Sequence, residues 1–240
     1  MRSAALRELE RQLETRVGDL VRRSSHQLPA PTGTPLDSLL PEGGLPRGQA
    51  IEWLGPRSCG KTTLLHAALQ QLHEAGEPVA VIDTGHTLYA PDWAALVGEE
   101  AFWVVRPPEK REALWCADLL LRSGAFGAVA LEAQDETSGG RTSPGRSLSR
   151  SVLVRLQRLA EEAGAVFVVL GPLSLASLRL RFRPGRLEPV ECSPFGPALP
   201  RLRPVWVEVG KGRKGAIPIL CPVPASRSGR PVVRDRKGAR

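Results

Sequence analysis

The segment 55–63 constrains the fold more than any other part of the chain. It reads G-x-x-x-x-G-K-T-T, directly after a short apolar run and at the start of a helical pattern. In such a phosphate-binding loop, backbone N–H groups and a helix N-terminus converge on one place, where phosphate oxygens bind. Lys61 is expected to reach the β- and γ-phosphates of ATP, and the Thr62 hydroxyl to bind Mg²⁺. The predicted nucleotide-binding residues are Gly55, Pro56, Arg57, Ser58, Cys59, Gly60, Lys61, Thr62 and Thr63.

From residue 50 onward, short apolar runs alternate with longer helical patterns, as is typical of a parallel sheet with crossover helices. The strands predicted are 50–54, 79–83, 102–105, 128–132 and 166–170, followed by period-two strands near 178–183, 205–209 and 217–221. The helices predicted are 60–75, 91–97, 109–123 and 148–163, with glycine stops at Gly76, Gly124 and Gly164. The fold class is therefore α/β, a mostly parallel central sheet flanked by helices, with a C-terminal β-hairpin.

Residues 1–27 predict a separate amphipathic helix. Its apolar stripe consists of Leu6, Leu9, Leu13, Val17 and Leu20. We expect the stripe to dock on a partner protein or on a second copy of the chain, with packing on its own domain as the alternative. A Pro-rich linker, 28–36, precedes the core, 37–221, and a basic tail, 222–240, has the composition of a disordered segment.

Charge is distributed unevenly along the chain. Residues 1–140 hold 13 basic and 19 acidic residues, whereas 141–240 hold 20 and 6. The basic half favours a polyanionic or acidic partner, nucleic acid first, and the alternative is a solubilising surface in an Arg-rich protein. The predicted contacts to DNA or an acidic partner are Arg141, Arg146, Arg179, Arg181, Arg183, Lys211, Arg213 and Lys214.

The tryptophans on predicted strands and helices are expected to be buried. Trp103, Trp115 and Trp206 fall on predicted strand or helix faces and are expected in the core. No aromatic residue is interleaved with the arginines of 179–183, so base stacking is not indicated. Binding to DNA is then expected to ignore sequence and to depend strongly on salt.

Composition also excludes several classes of protein. The longest apolar run, 165–178, is broken by Gly171 and Pro172, and the N-terminus lacks the apolar stretch of a signal peptide. The four cysteines and four histidines are scattered without metal-ligand spacing, so we expect reduced thiols and no structural metal. The sequence predicts a cytoplasmic protein without a membrane partner, associated with the nucleoid if its basic half binds DNA.

Several segments resemble, in order and spacing, the ATPase core of the bacterial RecA recombinase family. They are LDSLL at 36–40, GGLPRG at 43–48, the phosphate loop, VIDTGH at 81–86 and LRSGA at 121–125. The resemblance is clear over 37–132 and weaker to about 221. It implies a RecA-like core in which Glu132 holds a magnesium-bound water and the N-terminal helix packs on a neighbouring protomer.

The departures from the RecA pattern concern hydrolysis and DNA binding. The glutamate with which RecA positions the attacking water matches Gly85, and its γ-phosphate sensor matches Gly171 and Pro172. The second DNA-binding loop of RecA is reduced to a few residues between 170 and 177. Losing a general base typically costs about 10²–10⁴-fold in rate, so the sequence predicts a chain that is not an enzyme and has no catalytic residues, with slow ATP hydrolysis as the alternative.

This pattern of retained core and lost groups resembles the ImuA group of mutagenesis accessory proteins. The resemblance implies a role in DNA-damage-induced translesion synthesis through contacts with RecA, with ImuB and with an error-prone polymerase. The alternative is an ATP-dependent DNA-binding recombinase or recombination mediator of the RecA type. A third hypothesis is a switch that binds ATP without hydrolysing it.

Overall fold

The computed structural model describes residues 28–97, 101–133, 150–173, 176–185, 201–211 and 216–223. The predicted N-terminal helix, 1–27, with its apolar stripe, lies outside the described residues, as do 224–240 of the predicted tail.

Eight strands form one sheet in the described part of the chain. They are β1 (Ala50–Leu54), β2 (Val79–Ile82), β3 (Phe102–Val105), β4 (Ala128–Glu132), β5 (Val166–Leu170), β6 (Leu178–Pro184), β7 (Arg201–Lys211) and β8 (Ala216–Val223). Their spatial order is β3-β2-β4-β5-β1-β6-β7-β8. The pairs from β3 to β6 are parallel, and β7 and β8 add antiparallel strands at one edge. The predicted α/β fold is confirmed.

Within the described ranges, three α-helices cover the parallel strands: α1 (Lys61–Glu74), α2 (Ala113–Ser123) and α3 (Arg150–Ala163). Gly76, Gly124 and Gly164 follow them in the left-handed conformation, which confirms the predicted stops. The predicted helix 91–97 is instead a 3-10 segment, Ala90–Leu96, with a proline in its first turn. The predicted helix 109–123 begins with a 3-10 turn, Lys110–Glu112, and becomes α-helical only at Ala113.

The sheet separates two apolar layers. Alternate residues of the strands, such as Ile51 and Trp53, pack with α1, and the intervening ones, such as Ala80 and Ile82, pack with α2 and α3. At the carboxyl ends of the strands, residues whose side chains lie in the same layer as α1 therefore face the phosphate loop.

Two segments differ from their predicted boundaries. Residues 28–36, expected as a linker, contact the core: Ala30 is fully buried and pairs with Leu45 in an antiparallel bridge. The buried Arg47 fixes this region by donating to Glu77 and to the carbonyl of Leu28. At the other end, β8 runs to Val223, two residues into the segment expected as a tail.

The tryptophans do not share one environment. Trp103 and Trp115 pack against the α2 and α3 layer, as predicted for core residues. Trp206 is 47% exposed, so its predicted burial is wrong. The physical reason is the period of β7: Val205, Val207 and Val209 are buried on one face of the sheet, and Trp206 points to the other.

Candidate nucleotide site

The phosphate loop joins β1 to α1 in a backbone conformation that needs its glycines. Gly55 has φ 157° and Gly60 has φ 91°. A Cβ at Gly55 would lie 2.6 Å from the carbonyl oxygen of Phe182 and 2.8 Å from the Cys59 sulfur, so no larger residue fits there. The glycines at these two positions are therefore required by the geometry as well as by the motif.

The N-terminus of α1 is open toward the loop. Its N-cap, Gly60, offers no side chain to the first helical turn, whose N–H groups have no partner within the helix. Thr62 is exposed, and the Lys61 ammonium donates to the Gly55 carbonyl 2.6 Å away, across the loop. Open N–H groups, an ammonium and a hydroxyl in one place are the groups that bind a phosphate chain with its magnesium ion.

Two acidic residues stand at the same edge of the sheet. Asp83 and Glu132 each come directly after the paired residues Ile82 and Leu131 of the neighbouring strands β2 and β4. By the alternation of each strand, both side chains point to the layer that contains α1. The two carboxyl groups are close enough to hydrogen-bond when one is protonated.

Asp83 is fully buried and saturated with donors. Its carboxylate accepts the backbone N–H groups of Thr87, at 2.9 Å, and Leu88, at 3.3 Å, and the Arg106 Nε at 2.9 Å. Burial alone would raise the pKa of Asp83, but the hydrogen bonds from Thr87, from the Glu132 carboxyl group, from Arg106 and from Leu88 outweigh it and lower the pKa. Asp83 is therefore ionised, and it holds the turn that follows β2.

Glu132 has the opposite balance. Its Oε1 accepts the Thr87 hydroxyl at 2.9 Å, the Gly85 backbone hydrogen-bonds to the carboxyl group, and the buried Oε2 has no partner. Burial, followed by the neighbouring Asp83, raises the pKa of Glu132. An unpartnered carboxylate oxygen at this edge fits the predicted role of Glu132 toward magnesium, because a metal-bound water would satisfy it.

The backbone around Gly171 explains why this position has no side chain. Gly171 has φ 154°, and a Cβ there would lie 2.4 Å from the Ala133 carbonyl oxygen, so β5 and β4 approach too closely for a sensor side chain. The connection that follows is tied down by Glu52, which is 2% exposed and accepts the Leu173 N–H at 2.5 Å and the Arg179 guanidinium.

The predicted basic residues fall into two groups. Arg179 is half-buried and bound to Glu52 within the fold. Arg181 and Arg183 are exposed on β6, and Arg183 pairs across the sheet with Trp206, so both side chains lie on one face. We call Arg181, Arg183 and Trp206 the Arg/Trp face. Arg141, Arg146, Arg213 and Lys214 lie outside the described residues, and Lys211 is described only by its backbone in β7.

Sequence comparison decides the family. The model of the family described as RecA N-terminal domain matches residues 3–136, more than half of the chain. The chain belongs to the RecA N-terminal domain family.

Relatives of this family support the same assignment. The RecA protein of Kineococcus radiotolerans is 42% identical over 120 residues, which are 49% of this chain and 34% of that protein. The RecA protein of Streptomyces ambofaciens is 39% identical over 137 residues, which are 54% of this chain and 36% of that protein. The chain therefore matches about a third of the length of these RecA proteins.

A solved structure supports the fold. The crystal structure of the RadB recombinase superposes on this chain with a TM-score of 0.55 at 20% sequence identity. The superposition covers 78% of this chain and 93% of the RadB chain.

These findings correct one expectation. The prediction that the chain is not an enzyme is wrong, because its relatives are RecA proteins. The expectation depends on Gly85, which stands where the RecA pattern has a glutamate. In the structure the Glu132 carboxyl hydrogen-bonds to the Gly85 backbone, so a carboxylate is present beside that position.

Two features are absent from the described residues. None of the helices in the described ranges is long and apolar enough to cross a membrane. Among the same residues, no group of three or more His, Cys, Asp or Glu side chains forms a cluster that could hold a metal ion.

Proposed function

We propose that this RecA-family chain binds ATP with magnesium at the phosphate loop and couples hydrolysis to DNA binding, as a recombinase or recombination mediator in DNA repair. The observation that carries the proposal is the convergence of Lys61, Thr62 and Glu132 at one edge of the sheet. Lys61 would contact the terminal phosphates of ATP, the Thr62 hydroxyl would bind Mg²⁺, and Glu132 would hold a water molecule bound to that ion. A magnesium ion held there would supply positive charge against the negative charge that grows on the phosphates during hydrolysis.

The test is ATP turnover with and without single-stranded DNA, in wild type and in Lys61→Ala. We expect DNA to stimulate turnover and Lys61→Ala to abolish it. Arg122→Ala is the control, because Arg122 is an exposed cation in the last turn of α2, at the opposite edge of the sheet. Equal turnover in Lys61→Ala and wild type contradicts the proposal.

DNA binding is assigned to the Arg/Trp face. The exposed Arg181 and Arg183 supply phosphate contacts, with Arg183 exchanging its exposed ion pair with Glu208 for a phosphate. The half-exposed Trp206 indole beside them supplies a surface for base stacking. This arrangement favours single strands, whose bases are free to stack. Self-association through residues 1–27, as the RecA resemblance implies, belongs to the same proposal. It is tested by the oligomeric state of the full chain and of a chain without 1–27.

A second candidate function is the accessory role of the ImuA group, with RecA, ImuB and an error-prone polymerase as partners. It is favoured by the short connection between β5 and β6, which Glu52 fastens through the Leu173 N–H and which leaves no room for a long DNA-binding loop. Co-purification of the full chain with each of the three partners tests it, and deletion of 1–27 tests whether the apolar stripe carries the contact. Absence of binding to all three contradicts this role.

A further inference from the structure

An acidic side chain lies among the cations of the Arg/Trp face. In the register of β6 with β7, Arg183 pairs with Trp206, and Arg181 pairs with Glu208. Glu208 follows Trp206 by two residues in β7 and both are exposed, so the two side chains lie on the same face of the sheet. A carboxylate repels phosphates, so Glu208 lowers the affinity of this face for the DNA backbone.

The ion pair of Glu208 with Arg183 does not hold the carboxylate tightly. The Arg183 Nη2 lies 3.5 Å from the Glu208 Oε2, and the two side chains are 71% and 49% exposed. Water screens a pair this exposed, so the pair contributes little to stability. When Arg183 turns to a DNA phosphate, the Glu208 carboxylate is left as an exposed acceptor without its cation.

The spacing of Trp206 and Glu208 suits one nucleobase. Two residues apart on a strand, they are separated by about 7 Å along β7. A base that stacks on the half-exposed indole and extends along β7 therefore brings one edge to the Glu208 carboxylate. The neighbouring Gly210 has no side chain that could cover this carboxylate, and a Cβ at that position would lie 3.5 Å from the Arg179 side chain on the same face.

The chemistry of a carboxylate decides which base edge it accepts. An ionised carboxylate is an acceptor only, and its two oxygens match two parallel N–H donors. The Watson–Crick edge of guanine offers two such donors side by side, N1–H and the N2 amino group. Adenine and cytosine have a ring nitrogen acceptor beside their amino group, and thymine has a carbonyl on each side of its N3–H. Each of these three bases therefore turns an acceptor toward the carboxylate, whereas guanine does not.

We propose that Glu208 makes the Arg/Trp face selective for guanine in single-stranded DNA. The guanine stacks on Trp206 and donates its N1–H and N2–H groups to the Glu208 carboxylate, while Arg181 and Arg183 contact the adjoining phosphates. Base identity then adds to the salt-dependent affinity of the phosphate contacts. This inference rests on the proposed function, because it requires that the Arg/Trp face bind single-stranded DNA.

The test measures the affinity of the full chain for three labelled oligonucleotides by fluorescence anisotropy. One contains only dT, the second has a central dG, and the third has deoxyinosine at the same place, whose base differs from guanine only by the missing N2 amino group. We expect wild type to bind the dG oligonucleotide at least fivefold more tightly than the deoxyinosine one, because one of two hydrogen bonds to a charged group is lost.

Glu208→Gln separates base selection from general binding. The glutamine amide turns a donor toward one of the guanine donors, so the preference for dG over deoxyinosine should fall below twofold. Affinity for the dT oligonucleotide should not fall, because the substitution removes a negative charge from the face. Glu162→Gln is the matched control, since Glu162 is an exposed glutamate of α3 that pairs with Arg158 at 3.6 Å. It should keep the wild-type preference.

The outcomes distinguish this inference from the proposed function. Wild type that binds all three oligonucleotides equally, or Glu208→Gln that keeps the preference for dG, overturns the role of Glu208 and leaves DNA binding standing. Wild type that binds none of the three overturns both.

Discussion

The ion pair of Glu52 with Arg179 offers a quantitative test of how the core supports the site. Glu52 is 2% exposed in the middle of β1, and it joins the connection after β5, through Leu173, to β6, through Arg179. Glu52→Ala removes the acceptor of both groups and leaves a guanidinium without its partner.

The expected magnitude follows from burial. Removing one member of a buried pair costs about 3–5 kcal/mol in the free energy of unfolding. Because the Arg179 side chain is 32% exposed, the lower end, about 3 kcal/mol, applies. At about 2–4 °C per kcal/mol for a chain of this size, Tm should fall by about 6–12 °C.

A more exposed ion pair, between the neighbouring strands β6 and β7, provides the control. Arg183 and Glu208 are 3.5 Å apart, with side chains 71% and 49% exposed. Exposed pairs contribute about 0–1 kcal/mol, so Glu208→Ala should lower Tm by at most about 4 °C. Thermal and urea unfolding followed by circular dichroism measure both variants. Equal losses for Glu52→Ala and Glu208→Ala would refute the argument that burial decides the difference.

Three further predictions concern DNA binding, pH dependence and thiol reactivity. Trp206→Ala should weaken the affinity for single-stranded DNA at least fivefold, because stacking contributes about 1–3 kcal/mol per base. Trp206→Phe keeps an aromatic ring and should retain most of the affinity. Fluorescence anisotropy measures both variants, and an alanine variant with wild-type affinity would exclude stacking. Burial, followed by Asp83, raises the folded-state pKa of Glu132, so its carboxylate costs the folded state stability as pH rises above the ordinary value of 4.5. The stability of Glu132→Gln relative to wild type should therefore increase from pH 4 to pH 8 in urea titrations. A difference that is independent of pH would contradict this. Burial, with a contribution from Glu112, raises the pKa of the Cys116 thiol to about 11, so a disulfide reagent should leave Cys116 unlabelled in native protein at pH 8. The number of thiols labelled per chain should therefore be the same in Cys116→Ser as in wild type. A lower number in the variant would show that the Cys116 thiol is accessible.

Local pattern was sufficient for most of the fold. The strands from β1 to β6 and the helix α1 appear within one or two residues of their predicted bounds, because a buried parallel strand and an amphipathic helix each have a distinct apolar period. The predicted bounds of an element are wrong where tertiary contacts override the apolar period of the sequence. The segment 91–97 forms 3-10 turns with Trp93 stacked on Phe102, and β7 begins four residues before its apolar run because pairing with β8 extends it.

The site was predictable only in part, for the same reason. The phosphate loop is contiguous, so Gly55, Gly60, Lys61 and Thr62 could be assigned from their spacing. Glu132 was predicted as a magnesium group, but its contact with the turn at Gly85 joins two strands that are neighbours in space and 47 residues apart in the chain. The exposure of Trp206 had a signal in the sequence, since it alternates with Val205 and Val207, but only the sheet shows which face is covered.

The sequence by itself determined the elements of this protein and its phosphate loop, because both depend on residues close together in the chain. The tertiary structure decided which carboxylate lies beside Gly85, which arginine is held by Glu52, and which tryptophan reaches solvent. Each of these depends on strand order and register, which bring distant residues together and which no local pattern of residues specifies.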